Sequence, residues 1–296
     1  MGMFTRIKRG LALTKDSIIV MKNHPKLLAF PLIAGVSAIV FLGVLALVSL
    51  GLLDVLVDLP QEGVVLGALF VVYFVTTFIS SFFTGALVHE TKEIIEGGEP
   101  DLRRGMEAAW RVRKKLAAWA AVSATVGVVL RVLESSDSRA ARIVSLIVGV
   151  AWTLVTFFVI PTAVLKPETS VRDMFTESGR TFKQLWGETP IGIVGPNLVA
   201  IPFYLLGVAV AFAFVGVSVV AAVLGFLVFA VLGMLVASGL RGVLKTALYV
   251  YAVEGKLPRE FEGEDIEGLA ESKPSGAAGG TGGMGGMGGA GGRGGI

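Results

Sequence analysis

The residues best suited to chemistry lie in one short segment, His89-Glu90-Thr91-Lys92-Glu93. On a helix, His89 and Glu93 would share a face at the spacing that two metal ligands require. A zinc-protease motif would need a second histidine at position 93, and the only other histidine of the chain is His24. We therefore interpret the segment as a helix end with charges four residues apart. We expect no metal, no cofactor and no catalytic residue, and hence no enzyme.

The segments around this cluster are strongly apolar. Hydrophobic residues make up 54% of the chain and charged residues 17%, against roughly 25% charged residues in soluble domains. The stretches 27–53, 64–88 and 143–165 carry no charge, and each exceeds the roughly 20 residues that cross a bilayer. The stretch 191–240 would reach about 75 Å as one helix, so it must turn, near Gly216. The pattern predicts an all-α polytopic bundle with helices over 27–53, 64–88, 116–133, 143–165, 191–213 and 217–240.

The basic residues predict the orientation of this bundle. Of the 26 Lys and Arg residues, all except Arg131, Arg139 and Arg142 fall on one side of the predicted spans. Lys and Arg are retained on the cytoplasmic side of membrane proteins. We expect a multi-pass protein of the plasma membrane with both termini in the cytoplasm.

Three amphipathic segments precede the odd-numbered spans, at residues 4–18, 102–115 and 171–186. Such helices usually lie at the headgroup level with cations toward lipid phosphates. Their order suggests three repeats of an amphipathic helix followed by a transmembrane hairpin. The predicted lipid-headgroup contacts are Arg6, Lys8, Arg9, Arg111, Arg113, Lys114 and Lys115.

The chain divides into three predicted regions. An amphipathic cytoplasmic segment covers residues 1–26, and a six-span transmembrane domain covers 27–253. Residues 254–296 are first acidic and then rich in glycine. Such a tail buries too little apolar surface to offset its backbone entropy, so we expect it to be disordered.

The uncharged blocks bear on transport. Proton relays place ionisable groups inside the membrane, and these blocks carry none. A neutral substrate path could instead use the backbone carbonyls freed by prolines and one amide, at Asn197, Pro196, Pro202 and Pro161; packing is the interpretation that we favour. Hydroxyls could also line a path, or bond their own helix carbonyls, which we favour; they are Thr76, Thr77, Ser80, Ser81, Thr84, Thr153 and Thr156.

Several stretches resemble an uncharacterised family of prokaryotic multi-pass membrane proteins. They are AVSATVGVVLRVLE at 121–134, RIVSLIVGVAWTLVTFFVIPTAVL at 142–165 and TALYVYAV at 246–253. The resemblance covers about residues 3–262. It implies a six-span architecture and supplies no catalytic or binding residues.

The sequence leaves two main functional hypotheses. The first is a non-enzymatic integral membrane protein that acts through membrane lipids, a membrane-protein partner or a second copy of itself. The alternative is a transporter or channel component for a small neutral solute. The net charge of +3 is small and its basic residues flank the spans, so we expect no nucleic-acid partner.

Overall fold

The computed structural model describes the backbone of residues 3–52, 60–186 and 195–256, and the side chains of these residues except 3–12 and 195. Within these ranges every regular element is helical. The α-helices, interrupted by one 3₁₀ turn at Pro25–Leu28, are α1 (Met3–Asn23), α2 (Ala29–Gly51), α3 (Gln61–Ile95), α4 (Leu102–Arg111), α5 (Arg113–Glu134), α6 (Arg139–Val155), α7 (Val159–Leu165), α8 (Val171–Trp186), α9 (Gly195–Leu198), α10 (Ile201–Val215) and α11 (Val219–Glu254).

Six helical stretches are long and apolar enough to cross a membrane, and this confirms the predicted fold class. In chain order, spans 1 to 6 are Pro25–Gly51, Gln61–Ile95, Arg113–Glu134, Arg139–Leu165, Pro196–Val215 and Val219–Glu254. The turn expected near Gly216 separates spans 5 and 6, and the Ser218 hydroxyl accepts the Ala221 N–H at the start of span 6. Residues 257–296, which include most of the predicted tail, lie outside the described residues.

Two spans continue well beyond their predicted C-terminal ends. Span 6 was expected to stop at Leu240 but continues to Glu254, where Gly255 ends it with a φ of +69°. Glycine adopts this left-handed conformation without steric cost, so it is a common helix terminator. Span 2 likewise runs beyond Val88 to Ile95. In both cases charged residues begin before the helix ends, and the uncharged block alone underestimates its length.

Span 4 is interrupted between α6 and α7. Pro161 has no N–H to bond the carbonyl of Phe157, and the helix breaks just before it. Ser178 of α8 bonds two backbone groups at the break. Its hydroxyl accepts the Phe158 N–H at 2.9 Å and donates to the Val155 carbonyl at 2.6 Å. The break is therefore stabilised by a side chain from a different helix.

The spans form three consecutive hairpins, each preceded by a short helix outside the spans. Helix α1 precedes spans 1 and 2, α4 precedes spans 3 and 4, and α8 precedes spans 5 and 6. This order agrees with the predicted repeating unit. That the three units superimpose stays a prediction.

The bundle has two halves along the spans. In what we call the basic half, α1, α4 and α8 pack against the nearby span ends and form the hydrophobic core, which includes Met174, Leu240 and Leu248. In the other half, which we call the apolar half, large side chains such as Leu47 and Phe212 are exposed, to 71% and 77%. The core thus lies where the short helices cover the span ends.

Candidate functional site

The cluster singled out in the sequence is organised around Glu90. This carboxylate is fully buried near the end of span 2. It accepts hydrogen bonds from Arg104 Nε at 3.2 Å, from Arg104 Nη2 at 2.9 Å and from the Asp101 backbone N–H at 2.5 Å. His89 Nδ1 lies 3.0 Å from Glu90 Oε1. A buried carboxylate needs such partners, because an unpaired charge is costly to bury.

Helix α4 is fixed on span 2 by this pairing and by a close backbone approach. A Cβ atom on Gly105 would lie 2.9 Å from Glu90 Cγ and 3.0 Å from the Ala86 carbonyl oxygen. Asp101 caps the helix by accepting the Arg104 N–H at 2.8 Å. This hydrogen bond holds the pKa of Asp101 below its ordinary value, and the hydrogen bond to Glu90 raises the pKa of Arg104.

Both glutamates of the segment contact Arg104. Glu90 is already bonded to Arg104, and Glu93 Oε2 lies 3.7 Å from Arg104 Nη1. In the part of the chain that the structure describes, no three His, Cys, Asp or Glu side chains gather as metal ligands would. The sequence analysis missed Arg104. Its position three residues after Asp101, the residue that caps α4, was the signal that could have drawn attention to it.

A second group of side chains lies where α4 meets span 3, and we call it the Trp110 corner: Trp110, Arg111, Arg113 and Lys114. Trp110 is 58% exposed, and the three cations are exposed as well. The guanidinium carbon of Arg113 lies 4.8 Å from the centre of the Trp110 ring. Among the described residues, no carboxylate lies within ion-pair distance of these three cations.

Lys115 and the cations of α1 differ from the cations of the Trp110 corner. Lys115 Nζ donates to the Pro167 carbonyl at 2.6 Å and also to the Thr169 carbonyl, so it joins span 3 to the loop before α8. Arg6, Lys8 and Arg9 fall on α1, but their side chains are outside the described residues. Their predicted headgroup contact stays a prediction.

A groove between spans 1, 2 and 6 is the third feature. Its volume is about 300 Å³. Apolar side chains of all three spans line it together with Thr76, Ser80, Thr84 and Ser238, and Arg241 lies at its basic end. Arg241 Nη1 donates to Asn197 Oδ1 at 2.6 Å.

The residues of the predicted substrate path are therefore not brought together as a set. Asn197 reaches the groove through Arg241, and Pro196 is buried beside it. Pro202 is exposed near the start of α10, and Pro161 is buried in α7.

Four of the candidate hydroxyls bond their own helix, as we favoured. Thr76, Ser81, Thr153 and Thr156 donate to the carbonyl four residues earlier. For these four, the intrahelical interpretation is confirmed. Thr76 also lines the groove, together with Ser80 and Thr84.

The six apolar spans, the hairpin order and the packed basic half define a polytopic α-helical membrane protein. Within this class, the chain belongs to a family of unknown function, DUF6159, whose model matches residues 62–258. The match begins with span 2 and runs to the end of span 6, and it confirms the family expected from the sequence. No curated protein and no solved structure matches the chain.

Proposed function

We propose that this chain is a non-enzymatic, multi-pass protein of the plasma membrane that acts by binding acidic lipid headgroups at its basic half. The observation that carries the proposal is the Trp110 corner. Arg111, Arg113 and Lys114 are exposed without a carboxylate partner among the described residues. Some other basic side chains of the same half are paired, for example Lys92 with Glu254 and Arg103 with Glu107.

The chemistry of the corner suits a membrane surface. Tryptophan concentrates at the headgroup level, where its ring is half in an apolar and half in a polar environment. Each Lys or Arg near an anionic leaflet contributes about 1 kcal/mol of attraction. The stacking of Arg113 on Trp110 holds one of these charges next to the ring.

The orientation that the proposal requires rests on the distribution of charge. Arg131, Arg139 and Arg142 lie where spans 3 and 4 are joined, and the basic residues at the opposite end of the bundle are far more numerous. The positive-inside rule places that richer end, and with it both termini, in the cytoplasm. The inner leaflet is also the one that bears the negative surface potential.

The proposal is tested with the full chain in mixed micelles of phosphatidylglycerol and phosphatidylcholine, with bound lipids counted by native mass spectrometry. The triple variant Arg111→Gln, Arg113→Gln, Lys114→Gln is expected to lower the preference for phosphatidylglycerol on the order of a hundredfold. The matched control removes the same charge at the other end through Arg131→Gln, Arg139→Gln and Arg142→Gln. An unchanged lipid preference in the first variant would contradict the proposal.

Two other outcomes would redirect it. Stoichiometric recovery of a membrane-protein partner or of a second copy, with no selective lipid, would make the basic half a protein interface. Uptake of a small neutral solute into vesicles, abolished by Asn197→Ala, would favour the transporter alternative.

A further inference from the structure

We propose that the groove between spans 1, 2 and 6 is a binding site for one anionic phospholipid, whose phosphate is bound by Arg241. This inference rests on the proposed lipid-binding function and assigns it a defined site. It is separate from the Trp110 corner, which contacts headgroups at the surface.

Arg241 supplies an uncompensated cation at the basic end of the groove. Its guanidinium has five N–H donors, and the hydrogen bond that the structure describes goes to the Asn197 amide oxygen. An amide oxygen is neutral, so it orients the guanidinium without cancelling its charge. No described carboxylate lies within ion-pair distance of Arg241. A guanidinium presented in this way matches a phosphate, which accepts two parallel N–H bonds.

The groove also presents hydroxyl groups that lack a protein partner. Ser80, Thr84 and Ser238 make no hydrogen bond within the described residues. Two other hydroxyls of the same spans do make one: Thr76, which also lines the groove, bonds the Val72 carbonyl, and Thr246 bonds the Gly242 carbonyl. At membrane depth a hydroxyl without a partner is unfavourable. The ester and glycerol oxygens of a phospholipid would provide acceptors at this position.

The position of Arg241 along span 6 agrees with headgroup depth. At about 1.5 Å per residue, Arg241 lies about 33 Å from Val219, the first residue of that helix. The hydrocarbon core of a bilayer is about 30 Å thick, so Arg241 would reach its edge. The groove then extends from that edge toward the middle of the membrane, through Ser238 and Met234.

The walls of the groove distinguish a lipid from a free phosphate ion. Ala34, Ala38, Ile79 and Leu235 contribute apolar surface, from which a hydrated ion gains nothing. A volume of about 300 Å³ is at the small end of the range for ligand sites. It suits the glycerol region and the first part of one acyl chain. Met234 lines the groove and is 57% exposed, so the remaining chains can continue along the lipid-facing surface.

The experiment uses the full-length protein in mild detergent, with phosphatidylglycerol as the probe and native mass spectrometry as the readout. The wild-type protein is expected to retain one phosphatidylglycerol molecule. Arg241→Gln should lower this retention on the order of tenfold or more, because a charge-assisted contact is lost. Arg172→Gln is the matched control, since Arg172 is an exposed cation of α8 that does not line the groove.

A second variant and a cross-linking measurement guard against an unfolded protein. Ser238→Leu keeps Arg241 but fills the groove, and it should reduce retention to a similar extent. Phosphatidylglycerol with a photoreactive acyl chain should cross-link to peptides that contain groove residues of spans 1, 2 and 6. Cross-links confined to other surfaces, or full retention in both variants, would overturn the assignment.

The test also separates this site from the Trp110 corner and from a free anion. Retention lost in Arg241→Gln but kept in the triple Trp110-corner variant supports the groove, even if the corner has no lipid preference. The reverse result removes the groove and leaves the proposed function intact. Displacement of the retained lipid by millimolar inorganic phosphate would overturn the lipid assignment in favour of an anion site.

Discussion

The basic half and the apolar half of the bundle are built from the same six spans, yet they use their side chains differently. In the basic half, Leu116 and Phe158 are fully buried in protein, and Glu90 is buried with a charged partner. In the apolar half, Leu47 and Leu146 are about 70% exposed. Two glycines illustrate the difference: a Cβ on Gly105 of the basic half would meet three neighbouring atoms, whereas a Cβ on Gly43 of the apolar half would meet none.

This difference shows where the fold is specified. Lipid tails are as apolar as leucine, so exposed side chains of the apolar half gain little by contacting each other. The basic half reaches the headgroup region, where water competes for exposed groups and burial is favourable. We expect side-chain substitutions in the basic half to change the free energy of unfolding, and matched substitutions in the apolar half to have little effect.

The largest expected effect comes from truncating a core leucine. Leu116 is fully buried, and its Cδ1 atom lies 3.7 Å from the position of a Cβ on Gly85 of span 2. Leu116→Ala should lower the free energy of unfolding by about 3 kcal/mol, because it leaves a cavity. Leu47→Ala in the apolar half should cost about 0.5 kcal/mol or less, since lipid replaces the lost atoms. SDS titration of both variants in mixed micelles checks this, and equal losses would remove the distinction between the halves.

Removing the charge of Glu90 should have the next largest effect. Glu90→Gln leaves the Arg104 guanidinium facing a neutral amide, and we expect a loss of about 2 kcal/mol. Glu134→Gln is the control in the apolar half, because Glu134 is 56% exposed and pairs with Arg131 at 3.8 Å. An exposed pair contributes less than about 1 kcal/mol. If the same titration gave comparable losses for the two variants, the buried pair would not be what fixes α4.

The sequence predicted the helical class and the six spans because apolar length and charge placement are local properties. It did not predict the Glu90–Arg104 pair, since this contact depends on α4 folding back over the end of span 2. It also could not say what the apolar faces of the short helices cover. Phe182 and Leu185 of α8 are buried in the protein core, but protein and lipid are equally apolar partners for an amphipathic helix.

The groove illustrates the same limit. The sequence showed the hydroxyls of span 2, but we grouped them with Thr153 and Thr156 of span 4 as a possible path. The structure places Ser80 and Thr84 against spans 1 and 6 instead. The sequence analysis did not single out Arg241, because this residue directly follows the uncharged block 191–240, where span 6 was expected to end.

Replacing a glycine by alanine should change the stability of the protein in opposite directions in the two halves. Gly105→Ala places a Cβ within 2.9 Å of Glu90 Cγ and Phe30 Cζ, and such overpacking should cost about 1.5 kcal/mol. Gly43→Ala adds its methyl in open space and should stabilise the helix by up to about 0.5–1 kcal/mol, because alanine loses less backbone entropy. Thermal unfolding followed by circular dichroism checks both; a stabilising Gly105→Ala would show that α4 does not approach span 2 this closely.

The smallest expected effect is a pH dependence of the melting temperature, which a carboxylate helix cap produces and a hydroxyl cap does not. Asp101 caps α4 with a carboxylate, whereas Ser138 and Ser218 cap helices of the apolar half with hydroxyls that do not titrate. The Arg104 N–H lowers the pKa of Asp101 from its ordinary value of 3.8. A lowered pKa means that the capping contribution is complete above that ordinary value and is lost as the pH falls through the lower value of the folded state. Asp101→Asn keeps a capping oxygen without the titration. The difference in melting temperature between wild type and variant should therefore be constant near neutral pH, and below pH 3.8 the wild type should lose stability relative to the variant. A constant difference down to the lowest pH would show that the carboxylate does not stabilise α4 through its charge.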